Sequence, residues 1–279
     1  MTKDTFYWFL RVRPTTITSC LRLGIAFASA LLFKITGLKR MAPGYPIPGI
    51  FVPGHGTLDV KVENMKVTVR PADISLIVGT HEPETTSWYS PRPGQTIIDV
   101  GAHIGRYALL GARNHAKLVV AIEPDNQNFV LLKKNIAANR FSIVAKNVAL
   151  SDKPGRRSLY LNNGMNTGTS SLEETWNKKL DSDGIPAQSV ECTTLDGICE
   201  KMGLDIIDWL KIDVEGHEVH VLEGGKNTLA RTNHLIIEVT SINHERCLEL
   251  IEEAGLKQRS VEQGRVVSNW LCIRGGLNA

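Results

Sequence analysis

The chain has few cysteines, no membrane-spanning apolar run and no basic stripe, and each of these absences excludes a class of protein. Its five cysteines are scattered over 279 residues. No pair has the spacing of a metal site or a redox motif, which predicts a reducing, cytoplasmic location. The apolar run 23–33 has 11 residues, well short of the roughly 20 that a bilayer-spanning helix needs. No small-residue cleavage site follows it, so a signal peptide is not predicted either.

Positive charge is concentrated in the first 40 residues. They carry seven Lys or Arg side chains and one acid, whereas the remainder carries 25 basic and 28 acidic side chains. Because nucleic-acid binding requires a basic surface, the mildly acidic remainder argues against a nucleic-acid partner. Helically spaced apolar residues within 1–40 predict a basic amphipathic helix, which could lie on the inner face of an anionic membrane. The alternative is a helix packed on the core or on the second subunit of a homo-oligomer.

Composition divides the chain into two parts. Residues 41–56 are rich in Pro and Gly, which predicts a linker that ends an N-terminal arm, so that 1–56 precede a catalytic domain at 57–279. Alternating apolar residues at 58–62 and 66–69, around Asn64, predict a short β-hairpin. From residue 93 onward strands and helices alternate, which predicts an α/β fold with a mostly parallel sheet and helices on both faces.

The apolar periodicity predicts seven strands and five helices in that domain. The strands are 96–100, 118–122, 142–148, 207–212, 235–239, 256–261 and 266–273. The helices are 105–113, 127–139, 195–202, 218–229 and 244–254. The polar insertion 151–190 is too long for an ordinary connection, which predicts either a lid beside the ligand crevice or a surface loop.

The most informative motif is the strand–turn–helix junction D-V-G-A-H-I-G at 99–105, followed by Glu123 at the end of the next apolar run. Gly101 would let the backbone approach a ligand, and Gly105 would let the next helix pack closely on the sheet. Glu123 stands where a carboxylate can accept hydrogen bonds from both ribose hydroxyls. A dinucleotide site needs glycine at the position of Asp99, because an acid repels a pyrophosphate.

An acid at that position suits the ammonium group of S-adenosylmethionine, so the motif favours this cofactor over a nicotinamide dinucleotide. Two other classes remain alternatives. One is a nicotinamide-dependent oxidoreductase, and the other is a non-catalytic nucleoside-binding module.

A second junction, K-I-D-V-E-G-H-E at 211–218, also runs from an apolar strand into a helix. In a doubly wound sheet both junctions open onto one crevice, so this one is expected to face the group that is modified. A hydroxyl acceptor needs a base beside it. Asp213 could be that base or could orient the acceptor, and His217 is an alternative base or a helix cap. If the segment stays extended, Glu215 points away from Asp213, and Lys211 lies on the Asp213 side.

These motifs together resemble the FkbM-type methyltransferases. The resemblance rests on 99–105, on A-L-S-D at 149–152, on S-S-L at 170–172, on 211–218 and on V-L-E-G-G at 221–225. It implies the class I methyltransferase (Rossmann-like) fold, S-adenosylmethionine as cofactor and transfer of a methyl group, mostly to hydroxyl oxygens of sugars and polyketide-like products. His103 stands where the family usually has Asn. The backbone makes most of the cofactor contacts in this turn, so the resemblance holds.

Three further carboxylates are candidates. Glu238, at the end of the next apolar run, could face the acceptor, Glu84 could reach the cofactor's amine, and Asp152 lies where the adenine edge is expected. Asp213, Glu215 and Glu238 could hold Mg²⁺. Their spacing does not require an ion, so no metal ligand is assigned. The predicted enzyme acts on a small-molecule or glycan acceptor.

Overall fold

The computed structural model describes residues 12–20, 57–70, 73–79, 81–161, 168–173, 187–264 and 266–276. These residues belong to two compact units. The first comprises residues up to Pro83 together with Ala137–Asn139, and the second comprises the rest of the chain. Most of the predicted arm, 1–40, and the linker that follows it lie outside the described residues. The proposed division at residues 56 and 57 therefore stays a prediction.

The first unit contains the predicted hairpin. Its elements are β1 (Arg13–Pro14), β2 (Leu58–Val62), β3 (Met65–Val69) and the short helix α1 (Ile74–Ile77). The three strands form an antiparallel sheet in the order β1-β2-β3. Glu63 and Asn64 both have positive φ, at 49° and 68°, which suits a tight two-residue hairpin turn. The described part of the arm contains the strand β1 at Arg13–Pro14. After it, the Cys20 N–H donates to the Thr16 carbonyl, as in a turn of helix.

The second unit contains the predicted alternation of strands and helices. Its helices are α2 (Pro83–Trp88), α3 (Arg106–Arg113), α4 (Asn126–Asn139), α5 (Leu195–Lys201), α6 (Glu218–Glu223), α7 (Lys226–Leu229) and α8 (His244–Glu253), with a 3₁₀ turn at Ser241–Asn243. Its strands are β4 (Thr96–Val100), β5 (Leu118–Ile122), β6 (Ile143–Lys146), β7 (Ala149–Leu150), β8 (Gly155–Tyr160), β9 (Ala187–Thr193), β10 (Ile207–Ile212), β11 (Thr232–Thr240), β12 (Leu256–Gln263) and β13 (Val267–Arg274).

Seven of these strands form one sheet in the order β12-β13-β11-β10-β4-β5-β6, in which β13 runs antiparallel to its neighbours. This confirms the predicted mostly parallel α/β sheet. β4, β5 and β10 begin and end where the apolar runs predict. β11 starts three residues earlier than predicted, because Thr232 already pairs with Ile207 of β10. Aliphatic side chains on these central strands are buried in the main hydrophobic core.

Two predicted elements differ in the structure. The helix expected over 218–229 is divided into α6 and α7 at Gly224 and Gly225. A side chain at Gly224 would overlap the carbonyl oxygen of Ser151, so the chain needs glycine where it passes that loop. The insertion 151–190 is not a loop throughout. β8 and β9 come from it and form a small sheet with β7, in the order β7-β9-β8, around a second cluster of buried apolar residues.

No helix in the described ranges is long and apolar enough to cross a membrane.

Candidate active site

The two junctions identified in the sequence meet at the centre of the sheet. β4 and β10 are neighbours, and the chain leaves β4 towards β5 on one side and β10 towards β11 on the other. Such a switch point opens a crevice beyond the carboxyl ends of the strands. The Asp213 N–H donates to the Val100 carbonyl at 3.0 Å, so the first residue after β10 lies against the last residue of β4.

Gly101 is required by this meeting of the junctions. Its φ is +75°, and a Cβ at this position would overlap the carbonyl oxygen of Asp213. The sequence motif predicts a close approach between backbone and ligand at Gly101. The structure adds a close approach between the two junctions themselves. Any larger residue at position 101 must therefore displace the second junction from the first.

The rest of the first turn is fixed from the neighbouring strand and helix. The N–H groups of Gly101 and Ala102 both donate to the Ile122 carbonyl at 2.9 Å. Gly105 has φ +104°, and a Cβ there would lie 2.8 Å from Leu132 Cδ1 of α4, so glycine permits close contact with that helix, and the predicted packing of α3 on the sheet through Gly105 stays a prediction. His103 also has positive φ, at 51°, and is 7% exposed.

Glu123 is held by this turn. One carboxylate oxygen accepts the His103 N–H at 2.7 Å, and the other accepts the Asp125 N–H at 2.9 Å. Burial raises the pKa of Glu123 to about 8, although these two backbone donors lower it. The Asn128 side chain also donates to this carboxyl, so about one of its roughly four acceptor sites is left for a ribose hydroxyl. The residues present therefore fit a nucleoside ligand at this position.

Asp99 is buried beneath the turn, with 1% of its surface exposed. Its Oδ2 accepts the N–H of Ala108 in the first turn of α3 at 2.9 Å, where a negative charge also interacts favourably with the helix dipole. Burial raises the pKa of Asp99 to about 6, and the nearby charge of Lys211 opposes that shift. Asp99 therefore stabilises the start of α3. Its predicted contact with the cofactor's amine stays a prediction.

Three carboxylates converge at the second junction. Oxygens of Asp213, Glu215 and Glu238 all lie within 4.8 Å of one another. The expected alternation of Asp213 and Glu215 is not found, because Glu215 has φ +52° and lies in a turn after β10 ends at Ile212. Glu238 is 6% exposed, whereas 29% of the Asp213 side chain is exposed. Asp213 is therefore more accessible to an acceptor than Glu238.

Lys211 is buried next to this carboxylate cluster. It is 3% exposed, its Nζ lies 2.8 Å from Asp213 Oδ2, and the same atom lies 4.9 Å from the centre of the Tyr107 ring. The ammonium of Lys211 donates to this carboxylate and can therefore hold it in one orientation. The structure thus brings Lys211 and Asp213 together as expected, and it adds Tyr107 of α3 to their surroundings.

His217 lies at the start of α6 and is buried. Its Nε2 lies 3.0 Å from Ser151 Oγ, and its Nδ1 lies 2.7 Å from Glu173 Oε1. Burial lowers the pKa of His217, while the hydrogen bond to Glu173 opposes that effect. Both ring nitrogens are therefore engaged by side chains. His217 occupies the N-cap position of α6, but its side chain makes no capping hydrogen bond, so the expected role as a side-chain cap is wrong and the role as base stays a prediction.

The last two candidates lie at different places in the second unit. Asp152 accepts hydrogen bonds from Ser151 at 2.9 Å and from Arg157 at 2.8 Å, in the loop after β7. Glu84 is exposed in the first turn of α2, where its backbone N–H lies 3.4 Å from Glu262 Oε1. The assignment of Asp152 to the adenine edge and of Glu84 to the cofactor's amine are both untested.

Residues 168–173, here called the serine segment, contact both junctions. Ser170 Oγ donates to Asp125 Oδ2 at 3.3 Å, beside Glu123, and Ser171 Oγ donates to the Glu215 carbonyl at 2.6 Å. The S-S-L motif is visible in the sequence, but the sequence predicts no role for it. Only the resemblance drew attention to it, because a pair of serines in a polar insertion has no distinctive pattern of its own.

This mostly parallel α/β sheet, with a glycine turn at its switch point, has the class I methyltransferase fold. Residues 99–257 match the Methyltransferase FkbM domain family, which is more than half of the chain. The chain therefore belongs to the FkbM methyltransferase family, as the resemblance indicated. Its cofactor is S-adenosylmethionine.

Three relatives are similar over part of their length. The 2-O-methyltransferase NoeI of Sinorhizobium fredii is 30% identical over 158 residues, which cover 53% of this chain and 64% of NoeI. The hexuronic acid methyltransferase AglP of Haloferax volcanii is 26% identical over 168 residues, covering 60% of this chain and 65% of AglP. The 31-O-demethyl-FK506 methyltransferase FkbM of Streptomyces tacrolimicus is 27% identical over 176 residues, covering 54% and 68%. This chain thus spans less than two thirds of NoeI and AglP.

Proposed function

We propose that this protein transfers a methyl group from S-adenosylmethionine to a hydroxyl oxygen of a small molecule or glycan. The observation that carries the proposal is the position of Asp213. Its N–H donates to the carbonyl of Val100, the last residue of β4, and its carboxylate is partly exposed. A base beside the methyl donor is what an alcohol acceptor requires, because an alcohol is a poor nucleophile at neutral pH.

The cofactor, when bound, supplies an electrophilic methyl group on a sulfonium. Glu123 would accept a hydrogen bond from the ribose, and the turn 99–105 would hold the nucleoside at the switch point. Asp213 would accept the proton of the acceptor hydroxyl as the oxygen–carbon bond forms and the methyl–sulfur bond breaks, which leaves the demethylated cofactor as a neutral thioether. Lys211 fixes the direction of the Asp213 carboxylate, so catalysis consists mainly of orientation and proton removal.

The relatives support this class of acceptor. One is a 2-O-methyltransferase, one acts on a hexuronic acid, and one acts on a demethylated FK506. Sugars, glycolipids and secondary metabolites all carry hydroxyl groups of this kind. A nicotinamide-dependent oxidoreductase is less well supported, because Asp99 stands where the dinucleotide motif has its first glycine.

Calorimetry tests the cofactor site. We expect S-adenosylmethionine and its demethylated product to bind and NAD not to bind. Because Glu123 has a pKa of about 8 before binding and the ribose favours the carboxylate, binding at pH 7 should release about one proton. Affinity should then rise roughly tenfold between pH 7 and pH 9. Proton release is measured by repeating the titration in buffers with different ionisation enthalpies.

The matched pair of variants is Glu123→Gln, at the site, and Glu200→Gln, at an exposed position of α5. The first should weaken binding and abolish the proton release, whereas the second should change neither. Tighter binding of NAD than of S-adenosylmethionine, or an unchanged proton release in Glu123→Gln, would contradict the assignment. Binding without turnover on any hydroxyl-bearing acceptor would favour a non-catalytic nucleoside-binding module.

We also propose that residues 1–40 bring the enzyme to an anionic membrane surface, where a lipid-linked acceptor would be concentrated. Seven basic side chains and one acid in this arm support the proposal. The full chain should co-sediment with phosphatidylglycerol vesicles, less so as salt rises. Lys39→Gln with Arg40→Gln should weaken this by about tenfold or more.

As the control, Lys201→Gln with Lys226→Gln removes two exposed charges from the catalytic unit and should leave sedimentation unchanged. Failure of the wild-type chain to sediment at low salt would indicate that the arm packs on the core or on a second subunit.

A further inference from the structure

A cluster of titratable side chains lies beside the carboxylates of the second junction, and proton removal by Asp213 does not require it. The His217 cluster consists of Ser151, Asp152, Glu173, His217 and His220. These residues come from the loop after β7, from the serine segment and from the start of α6. Ligand atoms of Glu173, His217 and His220 all lie within 4.8 Å of one another, and the two imidazole rings stack at 4.5 Å.

The hydrogen bonds around His217 are compatible with a cation next to its Nδ1 atom. Ser151 has a single hydroxyl proton, and Asp152 Oδ1 lies 2.9 Å from its Oγ as an acceptor. When Ser151 donates that proton to Asp152, its lone pair faces His217 Nε2 at 3.0 Å, and in this arrangement Nε2 carries a proton. In a neutral ring Nδ1 is then unprotonated, yet it lies 2.7 Å from the carboxylate of Glu173. Two lone pairs at that distance require a proton or a metal ion between them.

His220 provides a second, independent observation. Its Nδ1 atom is buried and finds no hydrogen-bond partner in the described part of the chain. The same atom lies 3.7 Å from Asp152 Oδ1, too far for a hydrogen bond. A buried imidazole nitrogen without a partner is unfavourable, and a bound cation would satisfy it. The spacing His217-x-x-His220 places both rings on one face of α6.

We propose that Glu173, His217 and His220 bind one divalent transition-metal ion, of which Zn²⁺ is the best fit. Two imidazole nitrogens and one carboxylate are ligands that zinc prefers, and a carboxylate oxygen of Asp152 or a water completes a tetrahedron. The ring of His217 then stays neutral, Nδ1 becomes a ligand, and Nε2–H donates to Ser151. In histidine metal sites, the ring nitrogen that does not bind the metal typically makes a hydrogen bond to a neighbouring group.

The ion would tie the serine segment to the loop between β10 and α6. Glu173 belongs to that segment, in which Ser171 already donates to the Glu215 carbonyl. The role is therefore structural, and it lies outside the proposed methyl transfer. Loss of the metal should loosen the segment beside Glu215 and leave the nucleoside turn intact. Failure to bind metal would consequently leave the proposed function standing, and failure of methyl transfer would leave the metal site standing.

Metal binding is measured on the full chain after treatment with EDTA and dialysis. Zn²⁺ is titrated in competition with a chromophoric chelator, and Co²⁺ is added separately to record its visible absorption. We expect one equivalent of Zn²⁺ and the intense absorption of tetrahedral Co²⁺. With Zn²⁺ at about 100 times its Kd, the melting temperature should rise by roughly 5–10 °C.

The test variants are His220→Asn and Glu173→Gln, whose side chains are 42% and 37% exposed, so both should fold. Each should weaken Zn²⁺ binding by about 100-fold or more and remove the Co²⁺ absorption. The matched control is His115→Asn, at an exposed histidine with φ +62°, a conformation that Asn tolerates. It should bind Zn²⁺ like the wild-type chain.

Three results overturn the proposal. The first is a wild-type chain that binds no Zn²⁺, in which case His217 is simply protonated against Glu173. The second is Zn²⁺ binding that survives in His220→Asn, which would place the ion elsewhere, for example at the exposed Cys20 or at the carboxylates near Asp213. The third is weakened binding in His115→Asn to the same degree as in His220→Asn.

Discussion

Replacing Asp213 by Asn is expected to lower turnover by roughly 10²-fold or more while cofactor affinity stays near the wild-type value. The amide keeps the shape of the side chain and an oxygen that can accept from Lys211, which lies 2.8 Å away. It cannot take a proton from a hydroxyl acceptor. Turnover is measured with a radiolabelled or deuterated methyl donor, and affinity is measured by calorimetry on the same preparation.

The control for this variant is Asp205→Asn, at an exposed aspartate in the loop before β10, which should behave like the wild type. A variant at Asp213 that retains turnover within a few-fold would contradict its assignment as base. The remaining candidates would then be His217, Glu215 and Glu238. A variant that loses cofactor affinity and turnover together would indicate a positioning role for Asp213 instead.

Replacing Gly101 by Ala is expected to destabilise the protein by about 3 kcal/mol or more and to abolish cofactor binding. The new methyl group would overlap the Asp213 carbonyl oxygen. The two junctions would therefore have to separate, which disrupts the hydrogen bond from Asp213 N–H to Val100 and moves the base away from the nucleoside turn. Urea unfolding measures the first effect, and calorimetry measures the second.

Gly94→Ala is a matched control, because Gly94 also has positive φ, at +84°, yet a Cβ there meets nothing within 4 Å. This variant carries only the cost of a left-handed conformation, about 1–2 kcal/mol. The difference between the two variants isolates the close approach of the junctions. Equal destabilisation of both, with cofactor binding intact in Gly101→Ala, would show that the contact with Asp213 is unimportant.

The sequence by itself determined the central strands of the sheet and the functional motif in the turn that follows β4. β4, β5 and β10 are short, continuous apolar runs bounded by polar or glycine residues, and such runs reveal buried parallel strands locally. The hairpin around Asn64 has the same local origin. The motif 99–105 with Glu123 predicts a nucleoside site, because the residue types and their spacing (an acid, two glycines and a later carboxylate) indicate the class of ligand without knowledge of the fold.

Only the tertiary structure decided which side chains meet. Glu215 turns back towards Asp213 because its φ is positive, and no periodicity in the sequence encodes a single left-handed residue. The polar insertion yielded two strands, β8 and β9, whose alternation is too weak to distinguish from a loop. Ser151, Glu173 and His217 are far apart in the chain, yet they form one hydrogen-bonded series. Contacts of that kind depend on loop closure and packing between distant segments, which local sequence patterns do not specify.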